Sequence, residues 1–130
     1  MKVLLDTHTL LWYVLGDRQL SLDAEKTILD PANEVLTSPA SYWEIAIKVS
    51  IGKYVLRQPY SSFIDLCVNR YRFQVLPIEP KHAAQVAALP FPPGHKDPFD
   101  RLLIAQAMVE AIPLVGRDVA FDNYPITRIW

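Results

Sequence analysis

The chain has 130 residues, of which 51% are hydrophobic, and this is enough for one domain, residues 1–130, with a substantial core. The 13 Lys and Arg residues nearly balance the 14 Asp and Glu residues, so the net charge of −1 excludes a protein covered by a positive field. If the chain binds nucleic acid, it must use a local patch, a divalent cation or a partner.

The cysteine content and the hydropathy pattern indicate the cellular compartment. Cys67 is the only cysteine, which excludes an internal disulfide and favours a small buried side chain over a nucleophile. Met1–Asp6 reaches an acidic residue before any long apolar run, so no signal peptide is predicted. The apolar run Leu10–Leu15 is too short to cross a bilayer. We therefore expect a cytoplasmic protein that has no contact with a membrane.

The chain alternates between short apolar runs and helical patterns. In chain order we predict a strand, two helices and a strand, namely Lys2–Leu5, Thr9–Leu15, Ser21–Leu29 and Glu34–Thr37. A third helix is followed by the helix Tyr60–Asn69, the strand Phe73–Ile78 and the helix Pro80–Ala88. A stiff proline-rich loop, Leu89–Gly94, then leads to a core helix that begins at Pro98. The last two elements are the strands Ile112–Val115 and Ile126–Ile129. This alternation predicts an α/β fold with a central parallel sheet of four to five strands, flanked by helices on both faces.

The third helix is predicted within Ser41–Lys53, and it is apolar on most sides. Ser41 and Glu44 have the spacing of a capping box, which would place Glu44 in the first turn. With Lys48 they form one polar stripe, which faces either solvent or a cleft. The structural alternative is a capping box plus a weak Glu44–Lys48 ion pair. We expect Gly52 to cap the end of the helix.

The stretch His95–Ala107, HKDPFDRLLIAQA, places acidic groups at the start of a buried helix. Pro98 fits the first helical position, Asp97 fits the N-cap, and Asp100 lies in the first turn at the positive end of the helix dipole. Ordinary capping explains this stretch if it stands alone. It acquires a function if other carboxylates converge on it.

Four carboxylates are predicted to meet at one edge of the sheet. Asp6 follows the first strand, Glu44 follows the second, Asp100 opens the core helix and Asp118 follows the fourth strand. Ligands bind beyond the carboxyl ends of parallel strands, so we expect a shared cleft. Repulsion would raise the pKa of each acid unless a cation neutralises the cluster, and an oxygen-only ligand set suits Mg²⁺ or Mn²⁺. The alternative is four independent helix caps or solvated loop acids.

Four segments together resemble the PIN-domain ribonucleases: LLDTH at Leu4–His8, SYWEIAIK at Ser41–Lys48, HKDPFDRLLIAQA at His95–Ala107 and LVGRD at Leu114–Asp118. The similarity is greatest to the VapC-type toxins of prokaryotic toxin–antitoxin pairs and extends over essentially the whole chain. It implies a PIN-like domain that hydrolyses RNA with Mg²⁺, or with Mn²⁺ in its place. It also implies two protein partners, a cognate antitoxin and a second copy in a homodimer.

The resemblance also implies roles for individual residues. Asp6, Glu44, Asp100 and Asp118 match the catalytic acids of the family, and all of them except Glu44 would bind the metal. Asp97 is an additional carboxylate, which we expect mainly to cap its helix, with an indirect role beside the metal as the alternative.

One position departs from the family pattern, and several residues beside the acids are candidates for contacts with the substrate. The family often has Thr or Ser where this chain has Gly116, so a hydroxyl near the metal is lost. Thr7 would supply a hydroxyl instead, unless it only caps its helix. Lys96, Arg101 and Arg117 are candidates for contacting RNA phosphate. Their alternative role is an ion pair with a carboxylate, which we favour for Arg101.

The remaining observations bear on competing functions. His8, His82 and His95 lack metal-ligand spacing, so we expect hydrogen-bonding or surface roles, with His8 and His95 beside the cleft. A PIN scaffold that binds RNA or a protein without cutting is the alternative function, which Gly116 favours and the four acids oppose. A phosphatase of the haloacid-dehalogenase type would need an aspartate in place of His8, which argues against that class.

Overall fold

The computed structural model describes all 130 residues and contains five strands and six α-helices. The strands are β1 (Lys2–Leu5), β2 (Glu34–Thr37), β3 (Gln74–Val75), β4 (Leu114–Val115) and β5 (Arg128–Ile129). The helices are α1 (Thr7–Leu15), α2 (Leu22–Leu29), α3 (Pro39–Ser50), α4 (Tyr60–Asp65), α5 (Pro80–Ala88) and α6 (Pro98–Glu110). A π-helical turn, Leu66–Arg70, extends α4, and a 3₁₀ helix, Val119–Asn123, follows β4. None of the helices is both long enough and apolar enough to traverse a bilayer.

The five strands form one parallel sheet in the order β3-β2-β1-β4-β5, which places β1 at the centre. On one side Val3 of β1 lies opposite Val35 of β2, and on the other side Leu5 lies opposite Val115 of β4. All the carboxyl ends therefore lie at the same edge of the sheet. The strand order reverses direction beside β1, and in such sheets this point is where ligands bind.

Alternate residues of β1 enter two separate hydrophobic cores. Val3 and Leu5 pack in a core with residues of α1, α2, α3 and α4, whereas Leu4 packs in a second core with residues of α6. This is the two-residue period of a strand that is buried on both faces. Helices thus cover both faces of the sheet, as the sequence predicts. Cys67 is fully buried in the first core, which confirms the expectation for the lone cysteine.

Helix α3 begins earlier than the sequence analysis predicts. Its N-cap is Ser38, whose side-chain oxygen accepts a hydrogen bond from the Ala40 N–H at 3.1 Å, and Pro39 occupies the first helical position. The predicted capping box of Ser41 and Glu44 is therefore wrong, because both residues lie inside the helix. The sequence offers two serines as N-caps, and Pro39 selects the earlier one because proline suits the first position.

Smaller differences affect other boundaries, and the predicted strands Ile112–Val115 and Ile126–Ile129 are each two residues long in the structure. Helix α1 begins at Thr7 instead of Thr9, and the predicted strand Phe73–Ile78 forms ladder pairs only over the two residues of β3, at the edge of the sheet. Gly52 adopts a left-handed φ of +74°, one residue beyond the C-cap Ile51. None of these changes alters the order of the elements.

Gly116, directly after β4, allows an unusually close approach between β4, β1 and the 3₁₀ helix. A Cβ atom at this position would lie 2.9 Å from Cε2 of Phe121 and 3.1 Å from Cβ of Asp6. The Phe121 side chain is fully buried, so its ring cannot move into solvent. The Thr or Ser expected here from the resemblance does not fit this packing. The position of the Phe121 ring explains why residue 116 is a glycine.

We predict that Gly116→Ser lowers the free energy of unfolding by about 1–3 kcal/mol, the usual cost of overpacking a core. The same substitution in a Phe121→Leu background should cost less, because the smaller side chain leaves room for the new atoms. Urea unfolding of the four proteins forms a double-mutant cycle that measures this coupling. Equal costs of Gly116→Ser in the two backgrounds would contradict the explanation.

Candidate metal centre

Asp6 follows the carboxyl end of the central strand, and it is only 4% exposed. It occupies the N-cap position of α1, but its side chain makes no capping hydrogen bond. Its Oδ1 atom is buried and has no hydrogen-bond partner. A buried carboxylate oxygen without a donor is costly unless a ligand supplies the missing interaction. The backbone N–H groups of Thr7 and His8 favour the charged form of Asp6, but Oδ1 remains without a partner, so capping accounts for only part of this carboxylate.

Glu44 projects from the second turn of α3 and is also 4% exposed. The Lys48 ammonium donates to its Oε2 atom at 2.8 Å, so the ion pair considered in the sequence analysis is present. The other oxygen, Oε1, is buried without a partner. The ion pair thus satisfies only half of this carboxylate.

Asp100 lies in the first turn of α6, where its backbone N–H donates to Oδ1 of Asp97 at 2.9 Å. Asp97 is thus the N-cap of α6, as predicted. His95, Asp100 and Asp118 each offer one ligand atom, and these three atoms lie within 4.8 Å of one another. Asp118 is exposed and accepts a hydrogen bond from the Ala120 N–H through Oδ1, which leaves its second oxygen free of a protein partner.

The electrostatics of the acids indicate that they lie close together. Burial, assisted by the negative charges of Asp100 and Glu44, raises the pKa of Asp6 to about 8. Burial, assisted by the charges of Asp97 and Glu44, raises the pKa of Asp100 to about 6. Asp6 and Asp118 line the same cleft of about 370 Å³, together with His8, Trp12, Arg117 and Val119. The structure therefore brings all four predicted acids to one site.

The donor set of this site fits a hard divalent cation. Two of its buried carboxylate oxygens, on Asp6 and Glu44, lack a partner, and Lys48 is the only Lys or Arg residue that forms an ion pair with any of the four acids. Oxygen ligands with excess negative charge are what Mg²⁺ and Mn²⁺ prefer. The ligands predicted from the sequence, Asp6, Asp100 and Asp118, would hold such an ion, and His95 lies beside the last two.

Arg117 is exposed, and it lines the cleft without pairing with a carboxylate. Its guanidinium carbon lies 4.8 Å from the centre of the Trp12 ring, and its Nη1 donates to Oε1 of Gln19 at 3.2 Å. Its charge is thus available to an anion in the cleft. Lys96 is also exposed and forms no ion pair.

Arg101 is 4% exposed, and its contacts are with neutral groups. Nη1 donates to the Pro90 carbonyl at 2.7 Å and to the Tyr124 hydroxyl at 3.3 Å, and Nη2 donates to the Leu89 carbonyl at 3.4 Å. The Phe91 ring covers the guanidinium at 3.8 Å. The ion pair that we favoured for this residue is wrong, because the guanidinium instead fastens the proline-rich loop to α6. Its burial also keeps it from a substrate.

The structure also defines the positions of Thr7 and His95. The Thr7 hydroxyl donates to Oγ of Ser41 at 2.9 Å, so it joins α1 to α3 and does not cap a helix. His95 lies beside the acids and makes hydrogen bonds, as predicted. Its partners, Asp100 and Tyr124, were not foreseen, because Tyr124 is 29 residues away along the chain. The only sequence signal was the position of His95 next to the acidic motif.

Comparison with known proteins identifies the family of this chain. Residues 3–126 match the PIN domain family, and no curated protein matches the chain significantly in sequence. The similar solved structures include toxins of toxin–antitoxin complexes. One is in VapBC2 from Rickettsia felis bound to a DNA fragment from their promoter, with a TM-score of 0.69, 15% identity, and coverage of 98% of this chain and 97% of that chain.

Two further complexes contain similar chains. In DNA-bound VapBC from Salmonella typhimurium the TM-score is 0.67 at 16% identity, with 98% of this chain and 96% of that chain covered. In VapBC-1 from nontypeable Haemophilus influenzae it is 0.64 at 19% identity, with the same coverage. At these identities the likeness establishes the fold alone, whereas the family match extends over nearly all residues. The chain therefore belongs to the PIN domain family.

Proposed function

We propose that this PIN domain is a ribonuclease that hydrolyses RNA phosphodiester bonds with a bound Mg²⁺, or with Mn²⁺ in its place. The observation that carries the proposal is the pair of buried, unpartnered oxygens on Asp6 and Glu44 within a cluster of like charges. The metal, held by Asp6, Asp100 and Asp118, would lower the pKa of a bound water and stabilise charge on the phosphate.

The other residues of the cleft position the reactants. Lys48 fixes one oxygen of Glu44, so the free oxygen of Glu44 is held in place to orient the attacking water. Arg117 presents its charge to the phosphate from the face of Trp12, a ring that is 8% exposed and therefore rigid. No side chain needs to act as a nucleophile in this direct hydrolysis.

The non-cleaving scaffold remains the second candidate function. Gly116 was the feature that favoured it, and packing against Phe121 now accounts for that glycine. All four acids are present at one site, which favours the nuclease. Binding of RNA without any cleavage would support the scaffold.

The partners proposed for this chain follow from its relatives. The similar chains belong to complexes of a toxin with its antitoxin, in two cases bound to DNA. We propose that this chain is likewise a toxin, which pairs with a cognate antitoxin and forms a homodimer.

For the activity, we predict that the protein cleaves RNA with Mg²⁺ or Mn²⁺ and not with excess chelator. Asp6→Asn and Asp100→Asn should each reduce the rate at least 100-fold, because each removes a charge that holds the metal. A panel of labelled RNAs resolved on denaturing gels measures this. Asp23→Asn, at an exposed site on α2, is the matched control and should cut normally. Intact RNA at high protein excess would contradict the nuclease.

For the stability, we predict that the metal-free protein becomes less stable as pH rises from about 4 to about 8. The folded-state pKa of Asp6 is raised, so the folded protein retains a proton that the unfolded chain has already released, and this stabilisation is lost as pH rises. Asp6→Asn should flatten the dependence by several kcal/mol, because each unit by which the pKa of Asp6 is raised corresponds to about 1.4 kcal/mol. Urea unfolding in chelator at several pH values measures this effect, with Asp23→Asn as control.

Metal should reverse this loss of stability. Above pH 8, saturating Mg²⁺ should raise the melting temperature of the wild type by mass action and that of Asp100→Asn by less. Without metal, Asp100→Asn should be as stable as the wild type or more stable, because one repulsive charge is gone. Equal metal-induced shifts in the two proteins would refute a shared site.

For RNA binding, we predict that Arg117→Ala weakens affinity and lowers the slope of log affinity against log salt by about one. Arg117→Lys should restore the slope, because it restores the charge. Fluorescence anisotropy with an uncleavable RNA across a salt series measures both values. An unchanged slope in the alanine variant would rule out a phosphate contact.

A further inference from the structure

A chain of hydrogen bonds beneath the acidic cluster joins Arg101 to Asp100. Nη1 of Arg101 donates to the Tyr124 hydroxyl at 3.3 Å, this hydroxyl lies 2.7 Å from Nδ1 of His95, and Nε2 of His95 lies 3.3 Å from Oδ2 of Asp100. Arg101, Tyr124 and His95 are each no more than 6% exposed, so their mutual bonds are shielded from solvent, whereas the Asp100 side chain at the end of the chain is 22% exposed.

The direction of each bond follows from the chemistry of its groups. A guanidinium only donates, so the Tyr124 oxygen is an acceptor toward Arg101. The hydroxyl proton then has a single acceptor, Nδ1 of His95. A neutral imidazole with an accepting Nδ1 carries its proton on Nε2, and that proton points to the Asp100 carboxylate. For the neutral ring, this order of donors and acceptors favours the tautomer of His95 that is protonated on Nε2.

We infer that His95 is a positioning residue for the metal ligand Asp100, an inference that rests on the proposed function. The terminal torsion of an aspartate is broad, so the backbone leaves the orientation of the carboxylate unspecified. The Nε2–H of His95 supplies the missing restraint. Edge contacts with the Phe121 and Tyr124 rings, at centroid distances of 6.1 and 5.4 Å, hold the imidazole plane in turn.

The competing role for His95 is direct coordination, since its ligand atom lies within 4.8 Å of those of Asp100 and Asp118. Coordination through Nε2 would require the proton to leave that atom. If the proton moved to Nδ1, the Tyr124 hydroxyl would face a second donor and lose its only acceptor, which is costly at a buried site. The hydrogen-bond chain therefore favours positioning over coordination.

The tautomer is tested by long-range ¹H–¹⁵N spectra of the metal-free protein. We expect His95 in the wild type to show the pattern of a neutral ring protonated on Nε2, and Tyr124→Phe to abolish that preference. His82 is an internal reference, because its Nδ1 accepts from the Glu79 N–H at 3.0 Å and its Nε2 lies 3.0 Å from Glu110. A wild-type His95 protonated on Nδ1, or an unchanged pattern in Tyr124→Phe, would overturn the inference.

The positioning role is tested by calorimetric titration with Mn²⁺. We expect His95→Ala to bind the metal about 10-fold more weakly, as is usual when a partner of a ligating side chain is lost. His95→Gln, whose amide can still donate, should retain most of the affinity. Tyr124→Phe, which keeps the imidazole and disturbs the packing least, should fall between them. Melting curves in chelator establish that each variant folds.

A matched control separates positioning from a general loss of stability. Gln106→Ala removes another buried polar side chain, which lies on α6 and donates to the carbonyls of Leu76 and Pro77. It should leave Mn²⁺ affinity unchanged, and an equal loss of affinity would overturn the positioning role. With Mg²⁺ bound to the wild type, the Nε2 proton of His95 should persist, whereas its disappearance would establish coordination instead. If the wild type binds neither ion, the proposed function and the positioning role are both refuted. The metal-free spectra still test the hydrogen-bond chain in that case.

Discussion

The burial of one carboxylate among others of the same charge is the constraint on which this structure depends. Asp6 cannot avoid that burial, because it follows the central strand between β2 and β4, and because Gly116 of the neighbouring segment packs close to its Cβ atom. Desolvation and repulsion therefore act on the same group and raise its pKa. Domains of this size are stable by only about 5–15 kcal/mol, so the destabilisation caused by such a group is a substantial fraction of the net stability.

The walls of the site are fixed by contacts that do not involve a metal. The Thr7–Ser41 hydrogen bond joins α1 to α3. The segment that carries Asp118 is held by Arg128, which makes two hydrogen bonds to Asp122, at 2.9 and 3.0 Å, and a third to the Gly116 carbonyl. These contacts of the fold hold the acids together, which is the preorganisation that the proposed metal site requires.

Much of this arrangement could be predicted from the sequence, because it depends on local pattern and on one topological rule. The apolar run ending at Asp6 and the Pro98 start of α6 fix two of the acids on their elements, and parallel strands must end at one edge. The start of α3 was mispredicted because Ser38 and Ser41 are equally good caps until Pro39 is considered. The environments of Arg101 and Gly116 depend on tertiary contacts with Tyr124 and Phe121, and no spacing along the chain encodes those contacts.

The pairing of β1 with β4 joins residues that are far apart along the polypeptide, since Leu4 lies opposite Leu114. Contacts of such high sequence separation are slow to form, because the entropy of closing a long loop is lost before the pairing contributes any stabilisation. Asp118 reaches Asp6 only through this pairing. A nascent chain on the ribosome, or a fragment left by a protease that has cut off the last strands, therefore contains several of the acids without an assembled centre. The proposed ribonuclease activity therefore requires the completed fold.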